Sequence, residues 1–151
     1  MKIAIGSDHA GFDMKEYLRD LLKSEGYVVE DVGTHYPTPA DYPDYAEKVG
    51  QLVGSGGADF GILICGTGLG MSIAANKIKN VRAALCLSEK YAELARRHNN
   101  ANVLCLAGRF LNGENSAKIL KKFLATPFDG ENKNGERHRR RVEKISSLES
   151  R

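Results

Sequence analysis

The run Phe60–Lys77, F-G-I-L-I-C-G-T-G-L-G-M-S-I-A-A-N-K, gathers the residue types best able to do chemistry in this chain. Cys65 is followed by three glycines, Gly66, Gly68 and Gly70, alternating with Thr67 and Leu69. Glycines allow a tight turn and let a ligand approach bare backbone N–H groups. The apolar Ile62-Leu63-Ile64 ahead of the turn reads as a buried strand, and Met71–Lys77 behind it as a helix. A helix starting there aims unpaired N–H groups and its positive dipole end at one spot. The expectation is an anion pocket with the Cys65 thiol on its rim, a setting that favours a thiolate. Cys86 and Cys105, inside strand-like segments, read instead as small buried hydrophobes. The turn is not a nucleotide P-loop, because no Gly-Lys-Ser/Thr follows, and Met71 stands where a dinucleotide fingerprint has its third glycine. Glu89, about 20 residues further on, occupies the place of a ribose-binding acid and keeps a nucleotide-binding module open as a rival.

Other candidates are spread along the chain. Asp8 and His9 follow a short strand and could act as an acid–base pair or simply form a polar loop. His98 ends a helix that starts at Ser88, so it should arrive at the edge opposite Cys65. There it would be a helix-end charge, or it would serve a neighbouring subunit's pocket. In the basic cluster Arg137-His138-Arg139-Arg140-Arg141, Arg139 should pair with Glu143 at i+4. Arg137 and Arg141 share a row with Ile145, close to Leu148, on the apolar side. Guanidinium groups on the side a helix buries need an anion, and their forked geometry suits phosphate oxygens. No Tyr or Phe occurs from Gly130 onward, which favours a phosphate clamp over a nucleic-acid surface. RNA binding by this helix is a weaker rival.

These groups need a scaffold, and the hydrophobic pattern supplies one. Lys2–Gly6 reads as the first strand. Asp13 then caps a helix carrying Met14, Tyr17, Leu18, Leu21 and Leu22 on one face. Tyr27–Val32 is the second strand, Thr34–Asp44 a rigid loop with three prolines, and Asp44 caps the next helix, which ends before Gly54. After the Cys65 strand come strands at Arg82–Leu87 and Asn102–Leu106, and helices from Ser88 to His98 and from Asn112 to Ala125. A polar loop, Thr126–Gly135, leads to a last helix, Arg137–Leu148. Five short strands alternating with helices predict an α/β fold with a parallel sheet covered on both faces, in a single domain spanning 1–151. Ligands in such sheets sit beyond the carboxyl ends of the strands. Asp8, His9, Cys65, Thr67 and Arg109 all fall at that edge.

Composition narrows the function classes. Charged residues make up 27% and hydrophobic ones 42% of 151 residues, ordinary for a globular domain. A net charge of +3 is too small to indicate nucleic acid. No apolar run approaches the ~20 residues of a membrane helix, and the apolar start is too short for a signal peptide. Three cysteines without metal-ligand spacing point to a reduced, cytoplasmic setting. A thiolate, an N–H-lined pocket, a His/Asp pair and an arginine clamp suit proton abstraction beside a carbonyl. The pocket would hold an enediolate oxyanion and the arginines a remote phosphate. The residues alone therefore define a small phosphorylated metabolite and acid–base or thiol chemistry.

A resemblance extends this. G-S-D-H-A-G at Gly6–Gly11, D-Y-P at Asp41–Pro43, I-C-G-T-G-x-G-x-S-I-A-A-N-K at Ile64–Lys77, R-x-H-N at Arg96–Asn99 and R-H-x-x-R at Arg137–Arg141 occur in order over essentially the whole chain. Together they resemble type B ribose-5-phosphate isomerase and the wider family that includes galactose-6-phosphate isomerase subunits. The resemblance implies a Rossmann-like three-layer α/β/α fold with an extra C-terminal helix, an aldose–ketose isomerase of the pentose phosphate pathway working through an enediolate without metal or organic cofactor, and a homodimer or tetramer with composite sites. It implies Cys65 as the base, Thr67 assisting, and Gly66, Thr67, Gly68, Leu69 and Gly70 as the oxyanion cradle. Asp8, His9, Tyr42, Asn99 and Arg109 would contact substrate, His98 would open the sugar ring, and Arg137 and Arg141 would hold the phosphate. One branch of that family places a glutamate base where this chain has Met71, which assigns the chain to the cysteine branch. The stretch Asp129–Glu136 is longer and more polar than the pattern needs. A six-carbon substrate, allose or galactose 6-phosphate, is the alternative.

Overall fold

A computed structural model describes residues 1–150. Its strands are β1 (Lys2–Ser7), β2 (Val28–Asp31), β3 (Phe60–Cys65), β4 (Ala83–Leu85) and β5 (Val103–Ala107). They form one parallel sheet in the order β2-β1-β3-β5-β4. The helices are α1 (Phe12–Ser24), α2 (Tyr42–Gly54), α3 (Leu69–Ala75), α4 (Glu89–Asn99), α5 (Gly113–Ala125) and α6 (Glu136–Leu148).

The period-two alternation of a strand sorts side chains onto the two faces. Ile3, Ile5, Ile62, Ile64, Leu104 and Leu106 meet α1, α4 and α5 through Leu18, Ala92 and Phe123. Ala4, Leu63, Cys65, Val103 and Cys105 meet α2 and α3 through Val49 and Met71. Both clusters are buried, so the three-layer α/β/α expectation holds. The chain runs from β1 outward to β2, then returns to place β3 on the other side of β1. The carboxyl ends of β1 and β3 therefore flank the point where the winding reverses, the usual ligand crevice of such sheets.

Several local expectations are corrected. Asp13 and Asp44 lie inside the first turns of α1 and α2, whose N-caps are Gly11 and Asp41. Asp8 is the side-chain cap instead, closing a 3-10 turn, His9–Gly11. α3 starts two residues earlier than expected, at Leu69. Strand β4 is only Ala83–Leu85, so Cys86 lies just beyond it, although its N–H still bonds the Cys105 carbonyl at 3.1 Å. The polar loop before α6 contains a 3-10 turn, Asp129–Glu131.

α6 packs sideways against α4 and that turn, burying only His138 and Val142. The row Arg137, Arg141, Ile145, Leu148 is consequently exposed in the single chain, contrary to the expectation of a buried arginine face. Arg139 does not pair with Glu143; its guanidinium donates to the Gly130 carbonyl, at 2.8 Å from Nε. A carbonyl inside the preceding turn is fixed in place, whereas an exposed i+4 carboxylate gains little from holding still.

Candidate active site

Cys65 is the last residue of β3 and is 4% exposed. Its Sγ accepts the Gly68 N–H at 3.2 Å, the kind of donor a thiolate needs. Gly68 makes this possible: φ is +74°, and a Cβ there would stand 2.5 Å from Leu85 Cδ1 and 3.0 Å from the Leu106 carbonyl oxygen. At Gly66 the Arg109 guanidinium lies close to the backbone, with Nη1 3.1 Å from where a Cβ would be. Arg109 N–H donates to the Gly66 carbonyl at 3.0 Å, and Gly108 N–H to the Cys65 carbonyl at 2.8 Å, so the β5 end is stapled to the turn. Thr67 is exposed, and its Oγ1 accepts the Leu69 N–H at 3.2 Å. The Tyr42 ring, at the start of α2, lies over Gly70, where a Cβ would come within 2.6 Å of it.

Asp8 and His9 stand beside this turn on the neighbouring strand end. The Asp8 N–H donates to the Ile64 carbonyl at 3.2 Å. Its Oδ1 accepts the Ala10 and Gly11 N–H groups at 3.0 and 3.1 Å. Exposed His9 accepts the Ala40 N–H on Nδ1 at 3.2 Å, which leaves Nε2 as its free nitrogen. Asp8, His9, Tyr42, Cys65, Gly66–Gly70 and Arg109 thus assemble at one end of the sheet, where the sequence placed Asp8, His9, Cys65, Thr67 and Arg109 and the resemblance added Tyr42.

His98, Asn99, Arg137 and Arg141 do not join them. They sit at the amino edge, where α4 ends and α6 packs. Arg96 of the R-x-H-N stretch is a buried anchor: it donates to the Ala101 carbonyl at 2.6 Å and the Thr126 carbonyl at 3.2 Å, and lies 4.8 Å from the Phe60 ring centroid. This holds the last turn of α4 and points His98 toward α6. There the His98 and His138 rings stack 4.3 Å apart with planes 4° from parallel. Asp129 completes the group, its carboxylate held by Arg97 Nε at 3.0 and 3.2 Å. His98, Asp129 and His138 have the donor types of a metal site, all within 4.8 Å. Yet Arg97 occupies both carboxylate oxygens, and Arg137 and Arg141 add positive charge beside His138. That balance suits an anion. Burial, then the charges of His98, Arg137 and Arg141, hold the His138 imidazole below its ordinary pKa. Exposed Arg137 lines a surface pocket here with Arg97, Asp129, Gly135 and His138.

Sequence reading passed over His138 and Asp129. The signal for His138 was its i+4 spacing to Val142, the only other buried residue of α6. Glu89 opens α4 after β4, two places from β3 in the sheet order. Among the described residues no helix is long and apolar enough to cross a membrane.

The ribose/galactose isomerase family model matches residues 3–145. The chain belongs to the ribose/galactose isomerase family. It is 42% identical over 150 residues to ribose-5-phosphate isomerase B of Escherichia coli, covering 99% of this chain and 97% of that protein. It superposes on the crystal structure of a ribose 5-phosphate isomerase from Thermotoga maritima with a TM-score of 0.91 at 54% identity, covering 97% of each chain. A ribose-5-phosphate isomerase B from Mycoplasma genitalium, solved with bound ribulose-5-phosphate, gives 0.92 at 46% identity, over 99% of this chain and 96% of that one.

Proposed function

We propose that this protein interconverts D-ribose 5-phosphate and D-ribulose 5-phosphate through an enediolate, with Cys65 as the base. The observation that carries the reading is the Cys65 sulfur at the β1–β3 crevice, facing the Gly68 N–H and neighboured by the Arg109 guanidinium across Gly66. Family membership and the ribulose-5-phosphate complex of the Mycoplasma relative support the substrate.

In the open-chain aldose the Cys65 thiolate takes the proton from C2, and the electron pair moves through C1 to O1. Amides of Gly66–Gly70 meet the developing oxyanion, assisted by Thr67. The thiol then returns the proton to C1, while the O2 hydroxyl proton passes to O1 and leaves a C2 ketone. Asp8 and His9 contact the sugar, and Tyr42 covers it over Gly70. Met71, fully buried against α2 and the sheet, leaves no carboxylate to replace the sulfur.

His98, Asn99, Arg137 and Arg141 complete the site from a second copy of the chain, His98 opening the furanose and the arginines holding the phosphate. This assigns the protein as a homodimer or a tetramer of such dimers. Two features support it: these residues lie across the sheet from Cys65, and apolar side chains are exposed at both places. Leu69 and Ile73 are 54% and 63% exposed beside the glycine turn, and Ile145 and Leu148 are 41% and 58% exposed in the row of Arg137. We place the enzyme in the pentose phosphate pathway of the cytoplasm, acting without metal or organic cofactor. The six-carbon reading, allose or galactose 6-phosphate, differs only in the depth of the assembled pocket.

Purified protein given ribose 5-phosphate without added metal should form ribulose 5-phosphate. Cys65→Ala should lower kcat by about 10²–10⁴-fold with an unchanged circular-dichroism spectrum. An alanine variant as fast as the parent removes the sulfur from the mechanism. A kcat/KM higher on six-carbon than on five-carbon sugar phosphates selects the alternative substrate.

A further inference from the structure

Lys15 is a fully buried charged side chain, and nothing in the isomerase chemistry uses it. It lies on the sheet-facing side of α1, and its Nζ bonds Asp31 Oδ2 and Glu16 Oε1, both at 2.7 Å. Arg19 reaches the same Asp31 oxygen at 3.3 Å. The other oxygen, Asp31 Oδ1, accepts the Gly33 N–H at 2.9 Å. Gly33 has φ +101°, a left-handed conformation. Burial alone would push the Asp31 carboxyl up, yet the hydrogen bonds from Lys15 and Gly33 and the charge of Lys15 hold it below its ordinary value.

A buried ion pair is a poor device for stability, since a well-packed apolar pair often does as well or better. What an apolar pair cannot do is accept the Gly33 amide. That amide stands at the root of the segment 33–41, which leads directly into the site. The Gly33 carbonyl accepts the Ser7 N–H at 2.7 Å, and the Thr34 N–H bonds the Ser7 carbonyl at 2.8 Å, one residue before Asp8. At its far end the Ala40 N–H orients His9 through Nδ1, and Tyr42 follows at once over Gly70.

We propose that Asp31, locked by the buried Lys15, is a positioning residue for substrate binding: through the Gly33 amide it sets the path of segment 33–41 and so the aim of His9 and Tyr42. The inference rests on the isomerase reading, because it assigns the segment's purpose to sugar binding. Asp31 touches neither side chain itself and acts only through the backbone between them.

Two double variants separate this from a fold effect. Lys15→Met/Asp31→Asn removes both charges but keeps an oxygen for the Gly33 amide. Lys15→Met/Asp31→Leu has similar bulk and no acceptor. The leucine variant should raise KM for ribose 5-phosphate about tenfold, the worth of one well-placed hydrogen bond, with kcat within about threefold. It should also speed amide hydrogen exchange at Ala40, while the asparagine variant does neither. Should the leucine variant not fold, Lys15→Met/Asp31→Ala, whose side chain carries no acceptor, takes its place. A lowered Tm with parental KM and parental Ala40 protection overturns the proposal, as does equal impairment in the asparagine variant. If the parent isomerises no sugar phosphate, the isomerase reading falls alone; the Ala40 exchange rates still decide whether Asp31 positions the segment.

Discussion

At the scale of single residues, the most informative pair is His98 and His138. The His98 ring stacked 4.3 Å away, Arg137 and Arg141 all oppose a positive charge on the His138 imidazole. Burial and these three neighbours hold the His138 imidazole below its ordinary value, while Asp129 pulls the other way without prevailing. As pH falls, the unfolded chain therefore takes the proton first. The stability linked to His138 is present above the ordinary imidazole value of about 6.5 and is lost as pH drops from there toward the folded value. Chemical denaturation between pH 7.5 and 5 should show this decline, and His138→Gln should flatten it. An undiminished slope in that variant would assign the decline to other groups. His138 was legible only as one more residue of a basic run, because burial of one position on a short amphipathic helix depends on what the helix packs against.

At the scale of elements, the turn joining β3 to α3 shows how much a short motif decides. Gly68 combines a positive φ with backbone and side-chain neighbours that leave no room for a Cβ. Gly68→Ala should lower stability by about 2 kcal/mol or more, through the left-handed backbone and the clash with Leu85, and should cut activity further by turning its N–H from the sulfur. Gly26 has φ +87° with open space around it, so Gly26→Ala should cost only about 1 kcal/mol and leave activity intact. Denaturant midpoints and kcat measured side by side check both. The existence and order of the strands and helices could be read from hydrophobic spacing, as could the chemistry of this turn. Their ends could not. Asp13 and Asp44 have the composition of caps, but the chain enters α1 and α2 earlier, because Asp8 already closes the preceding turn and Pro43 opens the first turn of α2.

At the scale of the whole molecule, the candidate site residues divide between two opposite ends of one sheet. A composite site predicts complementation. Cys65→Ala and His98→Gln proteins, each inactive, should regain activity when mixed under conditions that exchange subunits. One of the two sites in a mixed dimer then carries both native residues. With random pairing, about half the dimers are mixed and about a quarter of parental activity returns. No recovery, with exchange verified by mass spectrometry, would place each site within one chain.

The sequence by itself determined the layers, the five parallel strands, the glycine turn after Cys65 and the set of residues at the carboxyl edge, since strand periodicity and turn chemistry act over a few neighbours. Only the tertiary structure decided the exposed face of α6, the His98–His138 stack and the buried Lys15–Asp31 lock. Each of these depends on how far-separated segments meet, and burial at such meetings is set by packing that no local spacing encodes.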